Sequence, residues 1–212
     1  MGDIHITLVA NAGLLVECSG GKLLLDGLHC TENGMFSPVP PDIREQIMRR
    51  VPPFDGIRWM AFTHFHEDHF DLGLVNRYLQ AAEPEMLVMP EDTQYDVLSR
   101  LETGVCRTES IELPMGQCKS IGLWETGSLT AFPSRHAGNE YERVSHLCYV
   151  LEADGKKVLI LGDSDYDSVF FGRMTGAQEF DAVSPSSQGT QGFYTVCTDE
   201  KNYFLSPSLC GG

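Results

Sequence analysis

Residues 63 to 71, Thr-His-Phe-His-Glu-Asp-His-Phe-Asp, hold three of the chain's seven histidines and three carboxylates. His64 and His66 stand two apart, so in extended backbone at a strand's end they project to the same side, where two imidazoles can grip one metal ion. Asp68 and His69 follow as the chain turns and can face a second position close by. Nitrogen and carboxylate donors of this kind suit zinc. A site that keeps one coordination position for water lowers that water's pKa to about 7, which is hydrolytic chemistry. A histidine-rich solvated turn is the plain alternative, but an HxHxDH spacing directly after a buried strand argues against it.

Two ligands on a turn do not complete a catalytic site, and two further stretches supply partners. Phe-Pro-Ser-Arg-His-Ala-Gly (132–138) puts His136 just after a strand and before two small residues. Val-Leu-Ile-Leu-Gly-Asp-Ser-Asp (158–165) puts Asp163 after a glycine at the carboxyl end of an apolar strand. Strand ends followed by loops are where such folds carry their chemistry. Each residue taken alone reads equally well as an ordinary surface histidine or helix cap.

Elements must position these groups. Three runs rich in Ile, Leu and Val at the start (IHITLVA, LLVECS, KLLLD), broken by NAG and SGG, read as an antiparallel meander. A Pro-rich connection over 27–55 encloses a short helix, IREQIMRR. IRWMAFT (57–63) is a buried strand leading into the histidine turn, and LGLVNRYLQAA carries Leu72, Val75, Leu79 and Ala82 at helical spacing. MLVMP (86–90) is a strand and EDTQYDVLSRLE (91–102) is expected to be a helix opened by acidic residues. After Gly116 come four strands, KSIGLW, SLTAFPS, HLCYVLEA and KVLILG, the last two joined by a hairpin at EADGKK. Meander and crossover units together favour an α/β fold, an αββα sandwich of two mixed β-sheets with helices on the outer faces, over one doubly wound sheet.

Composition narrows the partners. A formal net charge of -15, with only 15 Lys and Arg among 212 residues, argues against neutralising phosphates, so nucleic acid is not expected. No apolar run approaches the ~20 residues that span a bilayer, and the amino terminus alternates like a strand instead of a leader, so a cytoplasmic protein without a membrane partner is expected. Seven scattered cysteines, never spaced CxxC, suggest neither a disulfide framework nor a zinc ribbon.

The order NAGLLVE, Asp26 ending KLLLD, THFHEDH, SRHAG and LILGDSD resembles the metallo-β-lactamase fold superfamily, and within it small cytoplasmic hydrolases similar to ascorbate-phosphate lactonase. The likeness covers residues 4 to about 183. It implies that His64, His66 and His136 bind a first metal, that Asp163 bridges, and that Asp68 with His69 bind or flank a second. It implies one or two Zn2+, with Mn2+ an alternative at a carboxylate-rich second site. The oxygen-reducing di-iron branch is similar but carries Glu where His66 stands, so histidine here favours hydrolysis. The expected activity is attack of activated water on an ester, lactone, thioester or phosphodiester, with Asp68 orienting that water or accepting its proton. A catalytically weak metal-binding protein of the same fold is the alternative, and a nuclease fares worst given the acidic balance.

One departure is serious. The family places a last histidine beyond the bridging Asp, yet no histidine follows His146. From Ser184 the chain becomes rich in Ser, Gly and Thr, which divides it into a sandwich domain (1–183) and an atypical tail (184–212). An altered frame or truncation, a single-metal member, or ligands borrowed from a second copy in a homo-oligomer would each account for it. The substrate wall is expected in the 27–55 loop, from Met35, Phe36, Pro38 and Phe54, with Arg135 available to an anionic group of a small-molecule substrate.

Overall fold

Alternation of apolar residues on both faces of the first strands sets the architecture. In a computed structural model of the chain, describing residues 3–11, 13–32, 36–91, 94–165, 168–174 and 180–184, those strands are β1 (His5–Ala10), β2 (Gly13–Cys18) and β3 (Gly21–Leu25). They pair antiparallel, then β3 runs parallel to β4 (Ile57–Ala61), β4 to β5 (Met86–Pro90) and β5 to β6 (Arg107–Ile111). The second sheet holds β7 (Lys119–Trp124), β8 (Gly127–Pro133), β9 (Leu147–Ala153) and β10 (Lys156–Ile160), all antiparallel, with β11 (Ala182–Val183) parallel to β10. Both sheets are mixed, as the sequence implied.

Side chains alternate between two destinations. Leu14, Val16, Leu23, Leu25, Trp59 and Ala61 pack between the sheets against residues of the second sheet such as Leu129, Tyr149 and Val158. Their neighbours Leu15, Leu24 and Met60 point the other way. There they meet helices α1 (Pro41–Arg49) and α2 (Leu72–Ala82) through Ile47, Val75 and Leu79. On the far side Phe132, Val150 and Leu159 pack against Phe171 of α4 (Ser168–Met174). The result is helix, sheet, sheet, helix, the expected αββα sandwich.

Two expectations need correction. The helix anticipated over 91–102 shrinks to α3 (Val97–Arg100), because Asp96 takes a left-handed conformation (φ 48°) and its carboxylate accepts from Ser99 Oγ, which makes a turn instead. The strand β6 was not anticipated. Residues 185–212, most of the atypical tail, lie outside the described residues, as does Met35.

Candidate metal centre

The six sequence candidates converge at one edge of the sandwich. Residues 62–71 form the connection from β4 to α2, and Asp71 caps α2 by accepting the Leu74 N–H at 2.8 Å. His136 follows β8, and Asp163 follows β10. The two loops are stitched together: Ala137 donates its N–H to Asp163 O, and Asp165 donates to Arg135 O, both at 2.8 Å. Leu147 N–H reaches Thr63 O at 2.9 Å and Tyr149 OH reaches Phe62 O at 2.6 Å, fastening the second sheet to the histidine turn.

Two overlapping groups of ligand atoms result, each lying within 4.8 Å of one another: His64, His66 and His136, and His64, His69 and Asp163. The Nε2 atoms of His64 and His136 are 3.3 Å apart. Tetrahedral ligands bonded at 2.0–2.1 Å are separated by roughly 3.3 Å, so one ion fits between these two nitrogens. Asp163, of the second group, also faces the first, Oδ1 being 3.1 Å from His69 Nε2 and Oδ2 3.7 Å from His136 Nε2. Asp68 belongs to neither group of three, but its Oδ2 lies 3.7 Å from His69 Nε2 and accepts from Asn11 Nδ2 at 3.0 Å.

Hydrogen bonds at the far side of the rings leave inward nitrogens for a ligand. His136 Nδ1 donates to Ala137 O at 2.7 Å, which frees Nε2. His69 Nδ1 lies 2.9 Å from Asp26 Oδ2, while its buried Nε2 turns inward to Asp163 Oδ1 at 3.1 Å. A carboxylate behind a histidine whose other nitrogen points at an acidic centre is the usual support of a metal ligand. The donors therefore fit a divalent cation.

Electrostatics separate the two groups. Burial, reinforced by the neighbouring imidazoles, holds His64 well below the usual histidine value, and burial with His136 lowers His66 to about 4, so both rings are neutral and able to ligate. Burial would also disfavour charge on His69, but Asp26 and Asp163 outweigh it and hold that ring up at about 10, so the metal-free ring carries a proton that an ion bound at Nε2 would have to displace. Burial raises the Asp68 carboxyl. The carboxylates gathered here supply negative charge that a cation would balance.

Sequence reasoning missed several participants. Asp26 was noted only as the end of a strand; its carboxylate accepts from Thr63 N (2.8 Å) and Thr63 Oγ (2.6 Å) besides meeting His69. His146 donates and accepts inside the fold and is pushed by burial to about 3, so it is a buried neutral residue, not a ligand. In the expected substrate loop, Phe54 and Val39 are in the core. A cleft of about 410 Å³ beside the site is lined by His66, Gln94, Tyr95, Tyr141 and Arg143, among others, and Arg135 is exposed. Tyr141 packs its ring 4.9 Å from that of His66 and 4.7 Å from that of His136.

Two mixed sheets face to face, helices outside and a His/Asp cluster at one edge define a metallo-β-lactamase-like sandwich. Solved structures share this fold. CmlA, a diiron β-hydroxylase from Streptomyces venezuelae, aligns with a TM-score of 0.58 and 16% identity over 85% of this chain and 34% of its own length. Human tRNase Z, short form, gives 0.52 and 19% over 81% of this chain and 68% of its own. At such identities the likeness is one of fold, and this chain spans only about a third of CmlA. No protein-family model matches the sequence, and no curated protein matches it.

Proposed function

We propose that the chain is a metal-dependent hydrolase in which His64, His66 and His136 hold a first divalent ion, Asp163 faces both positions, and His69 with Asp68 serves a second. The observation that carries this reading is the placement of Asp163 between His69 Nε2 and His136 Nε2. Held by these residues, a divalent ion would supply a water that is nucleophilic near neutral pH and would polarise a substrate oxygen. Asp68, oriented by Asn11 and raised by burial, accepts a proton from that water. Three histidines suit zinc, and the more acidic side accepts manganese.

Substrate enters by the cleft at His66, past Tyr141, which is 38% exposed. Its size fits a small molecule, and the net charge of -15 weighs against nucleic acid. Likeness to ascorbate-phosphate lactonase makes lactones the first substrates to try, followed by esters, thioesters and phosphodiesters. Residues 1–183 form the catalytic domain. A cytoplasmic setting is supported by five unpaired cysteines among the described residues.

The test is metal content of protein purified without chelator, with turnover of a simple lactone, a p-nitrophenyl ester and bis(p-nitrophenyl) phosphate before and after metal removal. Bound metal and metal-dependent turnover are expected, both falling in His64→Ala. Full metal content in a His64→Ala/His66→Ala double variant overturns the reading. Bound metal without turnover of any substrate reduces the protein to a metal-binding one of the same fold.

A further inference from the structure

We propose that His146, the last histidine in the chain, is a positioning residue that aims Asp163 into the metal centre. The inference rests on the metal-binding reading given above and adds a residue outside the ligand set.

The geometry is closed at every link. The backbone N–H of Asp163 donates to His146 Nε2 at 3.1 Å, which requires that nitrogen to carry no proton. The proton therefore sits on Nδ1, which donates to Ser134 Oγ at 2.8 Å. Ser134 closes β8, His146 opens β9 and Asp163 follows β10, so a single imidazole spans three consecutive strand ends of the second sheet. All three residues are buried. Gly162 makes the approach possible: it sits at φ +56°, and a Cβ there would lie 2.8 Å from His146 Nε2 and from Thr63 Cβ. Cys148 Sγ, 3.2 Å from Ser134 Oγ, covers the network from behind.

A carboxylate that serves two positions must be held within about 0.5 Å of its working place. Asp163 hangs on a loop after a glycine, and its own backbone N–H is the group His146 captures. Removing the acceptor leaves a buried N–H unpaired and lets the Asp163 loop relax away from its partners. His136 has a support of its own in the Ala137 carbonyl, and towards His64 and His136 the His146 ring offers only ring contacts, with centroids 5.1 and 5.7 Å away. Loss of His146 therefore acts most strongly on the Asp163 side of the centre.

The experiment is calorimetric titration of the metal-free full chain with Zn2+, and with Co2+ as a spectroscopic probe, for the wild type, His146→Leu, His146→Gln and Ser134→Ala, with melting temperatures of each. His146→Leu is expected to weaken the step assigned to His69 and Asp163 by about 10- to 100-fold, the range for groups that orient ligands, and to leave the three-histidine step within about threefold. His146→Gln, whose amide can accept from Asp163 and donate to Ser134, is expected to restore most of that loss. Ser134→Ala, which keeps the acceptor but frees the ring, is expected to give a smaller loss in the same step, and it decides the matter if the leucine variant does not fold. Equal weakening of both steps, no weakening of either, or no rescue by glutamine overturns the inference while leaving the metal reading intact. A wild type that binds neither ion overturns both.

Discussion

The two halves of the centre are built in opposite ways. On the His69 side every group is sealed: His69 and Asp26 are at most 1% exposed, and Asp26 is saturated by Thr63 and His69. On the His66 side the ring is half-buried, borders a cleft and meets the rings of His64, His136 and Tyr141. The sealed half is part of the folding core, whereas the open half is where a substrate can arrive. Damage to the first should be read in stability and damage to the second in binding and turnover.

The contrast breaks most visibly at Asp26. Replacing it by Ala strands buried His69 and Thr63 without their acceptor, and urea unfolding should show a loss of about 3–5 kcal/mol, the scale for breaking a buried pair. A loss below 1 kcal/mol would mean the sealed half is not a structural anchor.

His66→Ala should do the reverse. Metal at the three-histidine cluster is expected to fall by two orders of magnitude or more, since a direct ligand matters more than the groups that orient it. The melting temperature of the metal-free chain should barely move. A large drop in that temperature would erase the distinction between the halves.

Acidity sharpens the comparison, because the two histidines titrate in opposite directions. His69 is raised from 6.5 to about 10, so its contribution to the metal-free fold is full below pH 6.5 and disappears as pH rises toward 10. His66 is lowered from 6.5 to about 4, and buried His29 and His146 to about 4 and about 3. These rings resist protonation only when folded, so stability falls as pH drops below 6.5. The metal-free chain should therefore melt highest near pH 6.5, with the alkaline decline made shallower in Asp26→Asn, where Asp163 alone still holds the His69 proton, and the acid decline made shallower in His66→Ala.

The smallest effect is expected at the mouth. Tyr141→Ala should raise KM several-fold while metal content stays unchanged, and Tyr141→Phe should retain most of the binding if the ring edge is what counts. An unchanged KM in the alanine variant would move the substrate away from this cleft.

How much of this was legible depends on how local each signal is. The histidine turn is contiguous, and its spacing announces ligands before any fold is known. His136 and Asp163 could be found because each follows an apolar run that ends in small residues. Asp26 and His146 carried no such mark: one closes a strand and the other opens one, and their roles arise only when strands far apart in sequence meet. Phe54 looked like a pocket wall because an apolar residue in a loop reads the same whether it lines a cleft or plugs a core. The strand β6, Arg-Thr-Glu-Ser-Ile, sits at a sheet edge with only Ile111 buried, so it lacks the alternation that reveals other strands. The long helix anticipated at 91–102 failed at Asp96, whose side chain favours a turn.

The parts of the centre are spread from Asn11 to Asp163, and this scatter has a kinetic consequence. Asn11, Asp26, the 63–71 turn, His136, His146 and Asp163 come from both sheets, so long loops must close before the ligands can meet. A chain that has made only its first sheet owns His64, His66, Asp68 and His69 but neither His136 nor Asp163. If the proposed ligands hold an ion, tight metal capture marks the end of folding, and the rate at which refolding protein acquires the ion should report the docking of the second sheet onto the first.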